Sequence, residues 1–280
     1  MPGIYGRGTD FEAVRRAFDD YITANKAEGA EPLSFPPVLP REQLESSGYL
    51  KSFPHLAGTV FAFEGSEREA MELQERAAAH EDWSEFQQMS DVVRMPAACY
   101  PVYAAIAKRG PLPAGGVTVD PGDAWVFRHE PSGDPARLMM FHMREFVRLG
   151  EPEAVHAWRD EWRGRGLELL RDLGLNADFD VAADPFFGRG GKMLANNQRE
   201  QALKFEILVQ IAGPEPTAVA SFNYHQAHFG QTFEIATSDG QTAHTACLGF
   251  GHERITLALF RTHGLDPGAW PSEVRAKLWP

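Results

Sequence analysis

Two apolar segments joined by a very short turn constrain the fold of this chain more than any other part of its sequence. Residues Ala124–His129 and Arg137–Val147 are predicted strands, and the PSGD run between them is typical of a hairpin turn. Strands with so short a connection pair antiparallel, because a parallel pair needs a crossover of about a dozen residues or more. Four later segments are also predicted strands: Leu203–Ile211, Val219–Tyr224, Thr232–Ala236 and Thr242–Leu248.

Apolar residues at helical spacing predict helices before, between and after these strands. The predicted helices are Phe11–Lys26, Glu67–Glu81, Glu151–Leu173 and Gly251–His263. Glu31–Leu39 is predicted to be extended, and Val92–Val102 a strand or a loop. The order of helix, strands, helix, strands, helix indicates the α+β class, with an antiparallel sheet flanked by helices. No repeat or long linker divides the sequence, so residues 1–280 are expected to form a single domain.

Charge and cysteine content exclude several classes of protein. The chain has 27 basic and 39 acidic side chains and a net charge of −12, which argues against a protein whose main task is to bind phosphate backbones. Two cysteines, Cys99 and Cys247, exclude a disulfide scaffold, although they leave room for one bridge. No apolar run is long enough to span a bilayer, and the first residues lack the apolar core of a secretory signal. We therefore expect a cytoplasmic location and no membrane partner.

The predicted hairpin carries an unusual set of side chains on one face. Alternate residues of a strand share a face, so Arg128 and Glu130 point the same way, as do Arg137, Phe141 and Glu145 on the return strand. Arginine suits phosphate oxygens, phenylalanine can stack on a base, and a carboxylate can accept from an amine or hold a metal. The alternative is a solvated face with one exposed aromatic ring.

Two further stretches could contact a ligand. In Gly249-Phe250-Gly251 an extended run turns into a helix, and Arg254 lies in the first helical turn, where anions are favoured. An ordinary strand-to-helix turn would have the same sequence. Near the end of another predicted strand, Glu234 and Thr237 offer oxygen ligands.

Together these segments resemble the second and third motifs of class II aminoacyl-tRNA synthetases, and of seryl-tRNA synthetase in particular. The interval of four that separates Arg137, Phe141 and Glu145 is found in that enzyme. The first predicted helix, Phe11–Lys26, and the segment near Pro37 are similar to the first motif, which implies a homodimer. The motifs begin near residue 10 without a preceding tRNA-binding domain. The chain therefore resembles the amino acid:[carrier protein] ligases, which are truncated homologues of atypical, zinc-dependent seryl enzymes.

The resemblance implies an ATP site in this hairpin and in the third motif. Arg128 would hold the α-phosphate and the substrate carboxylate, and Arg254 would hold the γ-phosphate. Both would be the catalytic arginines. Arg137 would assist at the terminal phosphates. Glu130 would face the adenine amino group, and Phe141 would stack on the adenine ring.

The resemblance also implies two metal ions. Glu234, helped by Thr237, would hold magnesium between the phosphates. Cys99, Glu145 and Cys247 match the zinc ligands of the atypical seryl enzymes, and the open fourth position would take the substrate amine. Two small buried cysteines are the alternative.

The implied reaction is ATP-dependent formation of an aminoacyl-adenylate, followed by transfer of the amino acid to the phosphopantetheine thiol of a carrier protein. Ala97-Ala98-Cys99 stands where seryl enzymes usually have Thr-x-Glu, so this part of the substrate site lacks groups that would read a hydroxyl. Family resemblance therefore favours glycine or alanine as the substrate. The alternatives are a tRNA-aminoacylating relative, which the absent tRNA arm disfavours, and a non-catalytic sensor of an amino acid or a nucleotide.

Residues 151–200 match a helical insertion that this family uses to dock the carrier. The predicted helix in this insertion has four arginines that could face an acidic carrier: Arg159, Arg163, Arg165 and Arg171. A solvated face laced with Glu–Arg pairs is the alternative. Four other polar residues have no assigned role at this point: His225, His228, Lys204 and Glu206.

Overall fold

Eleven strands and ten α-helices make up the computed structural model, which describes residues 1–280. The strands are β1 (Glu31–Pro32), β2 (Val38–Pro40), β3 (Thr59–Phe63), β4 (Gln87–Arg94), β5 (Val117–Asp120), β6 (Asp123–Phe127), β7 (Met140–Gly150), β8 (Asp178–Val181), β9 (Lys204–Val209), β10 (Thr217–Gln226) and β11 (His244–Gly251). The helices are α1 (Thr9–Ala24), α2 (Arg41–Ser46), α3 (Tyr49–Ser52), α4 (Glu67–Ala78), α5 (Tyr100–Ala107), α6 (Pro152–Asp172), α7 (Gly188–Glu200), α8 (His228–Thr232), α9 (His252–His263) and α10 (Ser272–Leu278).

A large sheet positions the candidate site. Its strand order is β1-β5-β7-β11-β10-β9-β8, with β6 paired to β7, and all pairs are antiparallel except β1 with β5. A second, three-stranded sheet has the order β2-β4-β3. The predicted α+β class and the predicted antiparallel sheet flanked by helices are confirmed.

The predicted hairpin is present, but its return strand begins later than expected. β6 pairs with β7 from Asp123 opposite Arg144 to Phe127 opposite Met140. Arg137 therefore lies in the connection and not on the strand. Phe141, Met143 and Glu145 alternate along β7 and line a cavity, as the two-residue period of a strand requires.

Helices α1, α6 and α9 contribute to the largest hydrophobic core, which contains 30 buried residues. In α1 the apolar face predicted from the sequence is buried within this chain, with Val14, Phe18 and Ile22 fully covered. Trp162 of α6 stacks on Phe146 of β7 at a ring separation of 5.3 Å. The predicted homodimer stays a prediction.

One sequence interpretation was wrong in type, and a second missed the start of a helix. Thr232–Ala236 was predicted as a strand, but α8 runs to Thr232, and only an isolated bridge joins Ala236 to Thr242. Phe229 and Phe233, one helical turn apart, both stack on the Tyr103 ring, and this tertiary packing favours the helix. Within Val92–Val102, β4 ends at Arg94 and α5 begins at Tyr100 with Pro101 in its first turn, a position that proline favours.

Strand β8 and helices α5, α7 and α10 were not identified individually from the sequence. Helix α7 is polar and largely exposed, with only Gly191 buried, so it lacks the apolar stripe that reveals most helices. No helix of the structure is both long enough and apolar enough to cross a membrane.

Gly166 lets α6 approach the sheet closely, and a change there should be costly. A Cβ at position 166 would lie 2.7 Å from the buried Phe222 ring, whereas a Cβ at Gly164 on the same helix would meet nothing within 4 Å. We expect Gly166→Ala to lower the free energy of unfolding by about 1–3 kcal/mol through overpacking. Gly164→Ala is the control and should raise it by about 0.5–1 kcal/mol. Urea unfolding measures both, and equal effects would contradict this account of the α6 contact.

Candidate active site

A cavity of about 540 Å³ opens over the middle of the large sheet. Its walls come from β7, β9, β10 and β11, from the α2–α3 region and from α7. Eight of the predicted site residues line it: Ala97, Cys99, Arg128, Glu130, Phe141, Glu145, Cys247 and Arg254. The fold therefore brings together most of a set that was selected from separate sequence motifs.

Three side chains form a compact cluster in this cavity. The ligand atoms of Cys99, Glu145 and Cys247 all lie within 4.8 Å of one another, and all three residues are buried. The backbone N–H groups of Ala98 and Cys99 donate to the two carboxylate oxygens of Glu145, at 2.8 and 3.1 Å. These bonds fix the carboxylate beside the start of α5, and both cysteines are free thiols.

The electrostatics of this cluster fit a bound cation. Burial, followed by the nearby Cys247, raises the pKa of Glu145 to about 8. The neighbouring Cys99 thiol and His225 hold the pKa of Cys247 well below its ordinary value, against the effect of burial. Contact with Cys247 and burial raise the pKa of Cys99. Three buried acidic groups so close together cannot all ionise without a counter-charge. A thiolate–carboxylate–thiolate set supplies the donors that zinc prefers.

Two arginines also line the cavity. Arg254 lies in the first turn of α9, where its Nε and Nη1 donate to the carbonyl oxygens of Ala136 and Ala218 at 2.7 and 2.8 Å. The guanidinium of Arg128 lies 5.6 Å from the centre of the Phe141 ring. Burial, followed by the positive charges of Arg128 and Arg137, lowers the pKa of Arg254. Cations held this close together form a strong site for a polyanion.

Arg137 differs from the other predicted arginines because it does not line the cavity. Its Nη1 donates to Glu130 Oε1 at 2.8 Å, and its side chain is about half exposed, at 47%. It belongs to the connection that follows β6, so it lies beside Glu130 at the edge of the site.

The predicted magnesium pair, Glu234 and Thr237, does not line the cavity, and this prediction is corrected. The chain leaves α8 with Glu234 in the left-handed region, at φ 56°. The Thr237 hydroxyl is used within a tight turn, where it donates to Asp239 and to the carbonyl oxygen of Gln241. Neither residue is among those that line the cavity with Arg128 and Arg254.

A buried lysine with two carboxylates lines the cavity instead. Lys204 Nζ lies 2.6 Å from Asp184 and 3.0 Å from Glu206. The negative charge of Glu206 acts on Arg254 in the raising direction and offsets part of the lowering of its pKa. The sequence analysis gave Lys204 and Glu206 no role, and it did not identify Asp184. The spacing of Lys204 and Glu206 did indicate a charged pair, because residues two apart on a strand share a face.

The four arginines of α6 do not form the free basic surface that was considered for carrier docking. Arg159 is buried, and it donates to the carbonyl oxygen of Ala202. Arg163 lies over the rings of Phe179 and Phe205. Arg165 and Arg171 donate to the backbone carbonyl oxygens of Asn25 and Ala177. Each arginine is engaged within the chain.

His225 and His228 both line the cavity but form no second metal cluster with other ligands. His228 Nε2 lies 3.3 Å from the carbonyl oxygen of Ser47. Burial lowers the pKa of His228, which favours the neutral ring.

Comparison with known proteins shows near full-length relatives. No protein-family model matches the sequence. Two proteins of Bradyrhizobium diazoefficiens, named amino acid–[acyl-carrier-protein] ligases 1 and 2, are each 47% identical to this chain. The alignments cover 98% and 99% of this chain and 84% and 83% of those proteins. A type-2 serine–tRNA ligase of Methanopyrus kandleri is 26% identical over 96% of this chain, which spans 54% of that protein.

Solved structures show the same fold. A seryl-tRNA synthetase of M. kandleri, in complex with the A. aeolicus tRNASec, superposes with a TM-score of 0.83 at 22% identity. A seryl-tRNA synthetase of Pyrococcus horikoshii complexed with ATP gives a TM-score of 0.69 at 14% identity. Each comparison covers 99% of this chain and 57% of the other.

Removal of the Lys204 charge should destabilise the protein in a pH-dependent way. Burial alone would raise the pKa of Asp184, but Lys204 and Gln198 outweigh it and lower that pKa below its ordinary value of 3.8. A depressed pKa stabilises the fold above the unfolded-state pKa, and that contribution is lost as the pH falls through the folded-state pKa. We expect Lys204→Met to lower the free energy of unfolding by about 3 kcal/mol at pH 7, and by less at pH 3.

Lys108→Met, at an exposed position, is the control for this prediction. It should leave the free energy of unfolding within about 0.5 kcal/mol of the wild-type value. Urea titrations at the two pH values provide the measurement. A Lys204→Met deficit that stays constant from pH 7 to pH 3 would show that the ion pair with Asp184 is not its source.

Proposed function

Since this chain belongs to the family of amino acid–[acyl-carrier-protein] ligases, we propose that it activates a small amino acid with ATP and transfers it to a carrier protein. The observation that carries this proposal is the pairing, in one cavity, of an arginine-lined end with a buried Cys99–Glu145–Cys247 cluster. The first can bind a polyphosphate, and the second can hold a metal ion and the polar end of an amino acid.

The first half-reaction joins the amino acid to AMP. A carboxylate oxygen attacks the α-phosphorus of ATP, the bond to the bridging oxygen breaks, and pyrophosphate leaves. Arg128 and Arg254 neutralise the charge on the phosphates, and their half-buried setting in the cavity strengthens this effect. Phe141 and Glu130 bind the adenine by stacking and by accepting from its amino group. With Glu234 outside the cavity, Glu206 is the carboxylate best placed near Arg254 to contact an ATP-bound magnesium ion.

We assign the Cys99–Glu145–Cys247 cluster to zinc, with the substrate amine in the remaining position. The metal, when bound, supplies a Lewis acid that holds the amine in its neutral form. The hydrogen bonds from Ala98 and Cys99 to Glu145 fix the orientation of one ligand. The residues of this chain thereby direct the substrate carboxylate towards Arg128.

The second half-reaction transfers the amino acid to sulfur. The thiol of a phosphopantetheine arm attacks the carbonyl carbon of the adenylate, a thioester bond forms and AMP leaves. The thiol proton passes to solvent or to the departing phosphate, so the step needs no base from the protein. The amino acid is glycine or alanine in this proposal, because Ala97 and Ala98 offer no side-chain group to bind a hydroxyl.

Amino-acid-dependent exchange of pyrophosphate into ATP tests the first half-reaction. We expect exchange with glycine or alanine, and its loss when zinc is removed by a chelator. Transfer of the labelled amino acid to a phosphopantetheinylated carrier protein, and not to tRNA, would support the second half-reaction. Transfer to tRNA alone would replace this proposal with a tRNA-aminoacylating function. Zinc binding without exchange for any amino acid would indicate a sensor.

Arg254 should be essential for activation. We expect Arg254→Gln to lower kcat/KM for pyrophosphate exchange by about 10²–10³-fold, as for loss of one preorganised donor to a transition-state charge. Arg261→Gln, an exposed position in the last turn of the same helix, should leave kcat/KM unchanged. Circular dichroism establishes that both variants fold. An Arg254→Gln enzyme with kcat/KM within threefold of wild type would remove Arg254 from the mechanism.

We propose that the carrier approaches along α7, within the predicted 151–200 insertion. Helix α7 borders the cavity through Leu194, Asn197 and Gln198. Its outer surface has exposed Arg189 and Lys192 and no acidic residue in the first turn. Opposite charge on a partner would steer it to this surface, and carriers of this kind are usually acidic.

The double change Arg189→Glu/Lys192→Glu should raise KM for the carrier by about tenfold or more, which corresponds to about 1.4 kcal/mol. It should leave pyrophosphate exchange unchanged, because that reaction does not involve the carrier. Arg68→Glu/Arg76→Glu on α4 alters the net charge equally and is the control, with no expected change in KM. An equal rise in KM for both double variants would assign the effect to overall charge and not to α7.

A further inference from the structure

Two side chains of β10 contact the sulfur atom of Cys247. His225 Nε2 lies 3.6 Å from Cys247 Sγ, and Asn223 Nδ2 donates to the same sulfur at 3.5 Å. Neither residue belongs to the three-ligand cluster itself. Cys99 makes no comparable contact with β10, so the two cysteines of the cluster lie in different surroundings.

The position of His225 depends on an irregularity in the sheet. Asn223 pairs directly with Cys247 across the β10–β11 ladder, and the register shifts between Tyr224 and Gln226. Gln226 adopts a left-handed backbone with φ 54°. His225 is the extra residue of this bulge. Bulges re-aim a side chain next to an active site, and this one gives His225 a diagonal approach to the sulfur.

The His225 ring is held from several directions. Its Nδ1 lies 3.1 Å from Thr245 Oγ1. The rings of Phe229 and Tyr103 pack edge-on to it, with centroid distances of 4.9 and 6.1 Å. When the Thr245 hydroxyl donates to Nδ1, the proton of a neutral ring is on Nε2, which faces the sulfur. The surroundings of the ring thus favour a donor directed at Cys247.

We propose that His225 is a positioning residue that donates an N–H···S hydrogen bond to the Cys247 thiolate, with Asn223 as the second donor, and so tunes the metal held by that thiolate. This inference rests on the proposed function, since it requires the metal at the Cys99–Glu145–Cys247 cluster. Residues hydrogen-bonded to metal ligands orient them and set the electron density that they supply, and their loss typically weakens metal binding 10–100-fold.

The hydrogen bond also changes the electron density on the Cys247 sulfur. A hydrogen bond withdraws electron density from a thiolate, so the metal receives less charge from the sulfur and binds an incoming amine more strongly. Removal of the donor should make the thiolate a better donor to the metal. Charge transfer from sulfur to a metal with an incomplete d shell should then need less energy.

Cobalt substitution measures this effect without reference to activity. The metal-free protein is loaded with Co²⁺, and the sulfur-to-cobalt charge-transfer band is recorded for the wild type, His225→Phe and His225→Gln. Phenylalanine keeps the ring among Tyr103 and Phe229 but has no donor, whereas glutamine has an amide donor. His244→Phe is the control, because His244 lies on the opposite face of β11 from Cys247. Zn²⁺ affinity is measured in parallel by competition with a chelator.

We expect the band of His225→Phe at longer wavelength. We expect its Zn²⁺ affinity to be 10–100-fold weaker, because the Cys247 side chain loses the contact that orients it, and this loss outweighs the gain in sulfur electron density. The band of His225→Gln should lie between those of His225→Phe and the wild type, and that of His244→Phe should match the wild type. An unshifted band in His225→Phe with affinity within twofold of wild type would overturn the proposal. If His225→Phe does not fold, His225→Leu and Asn223→Ala, which also lack a side-chain donor, decide in the same way, and two unshifted bands would overturn the proposal. A wild-type protein that takes up no cobalt at the cysteines would instead refute the proposed metal site.

Discussion

The two hydrogen bonds from the backbone at Ala98 and Cys99 to the Glu145 carboxylate are the contact on which the site depends. They join the start of α5 to the middle of the central strand β7, and they use both oxygens of a fully buried acid. A carboxylate at that depth is stable only when its oxygens accept hydrogen bonds. With Glu145 fixed in this way, Cys99 is held opposite Cys247 of the neighbouring strand, and the cavity has a defined polar end.

The rest of the fold serves to bring distant segments to this point. Strands β7, β10 and β11 are adjacent in the sheet, so residues far apart in sequence become neighbours across a ladder, as Asn223 does with Cys247. Helices α1, α6 and α9 contribute to the main apolar core that supports these strands. Helix α7 and the α2–α3 region border the opening of the cavity. They have fewer buried apolar residues and more polar surface than the core helices.

Patterns with strong local signals were predictable from the sequence. The β6–β7 hairpin and helices α1, α6 and α9 follow from hydrophobic periodicity and turn chemistry. The cysteine–glutamate–cysteine cluster was identified by resemblance, and the structure places these residues together. What failed depended on tertiary contacts: α8 forms where Phe229 and Phe233 stack on Tyr103, and no local pattern distinguishes that run from a strand. Glu234 follows α8 and is not among the residues that line the cavity. The exposed α7 lacked a periodic signal.

The ligand cluster joins three segments that are widely separated along the chain: the start of α5 and the middle of β7 and of β11. A metal ion bound there would act as a long-range cross-link, because it would close large loops that the unfolded chain keeps open. Binding energy of that kind is also folding energy. A metal ion held there as proposed would therefore lengthen the lifetime of this protein, since chains without metal would open more often and be removed by proteases.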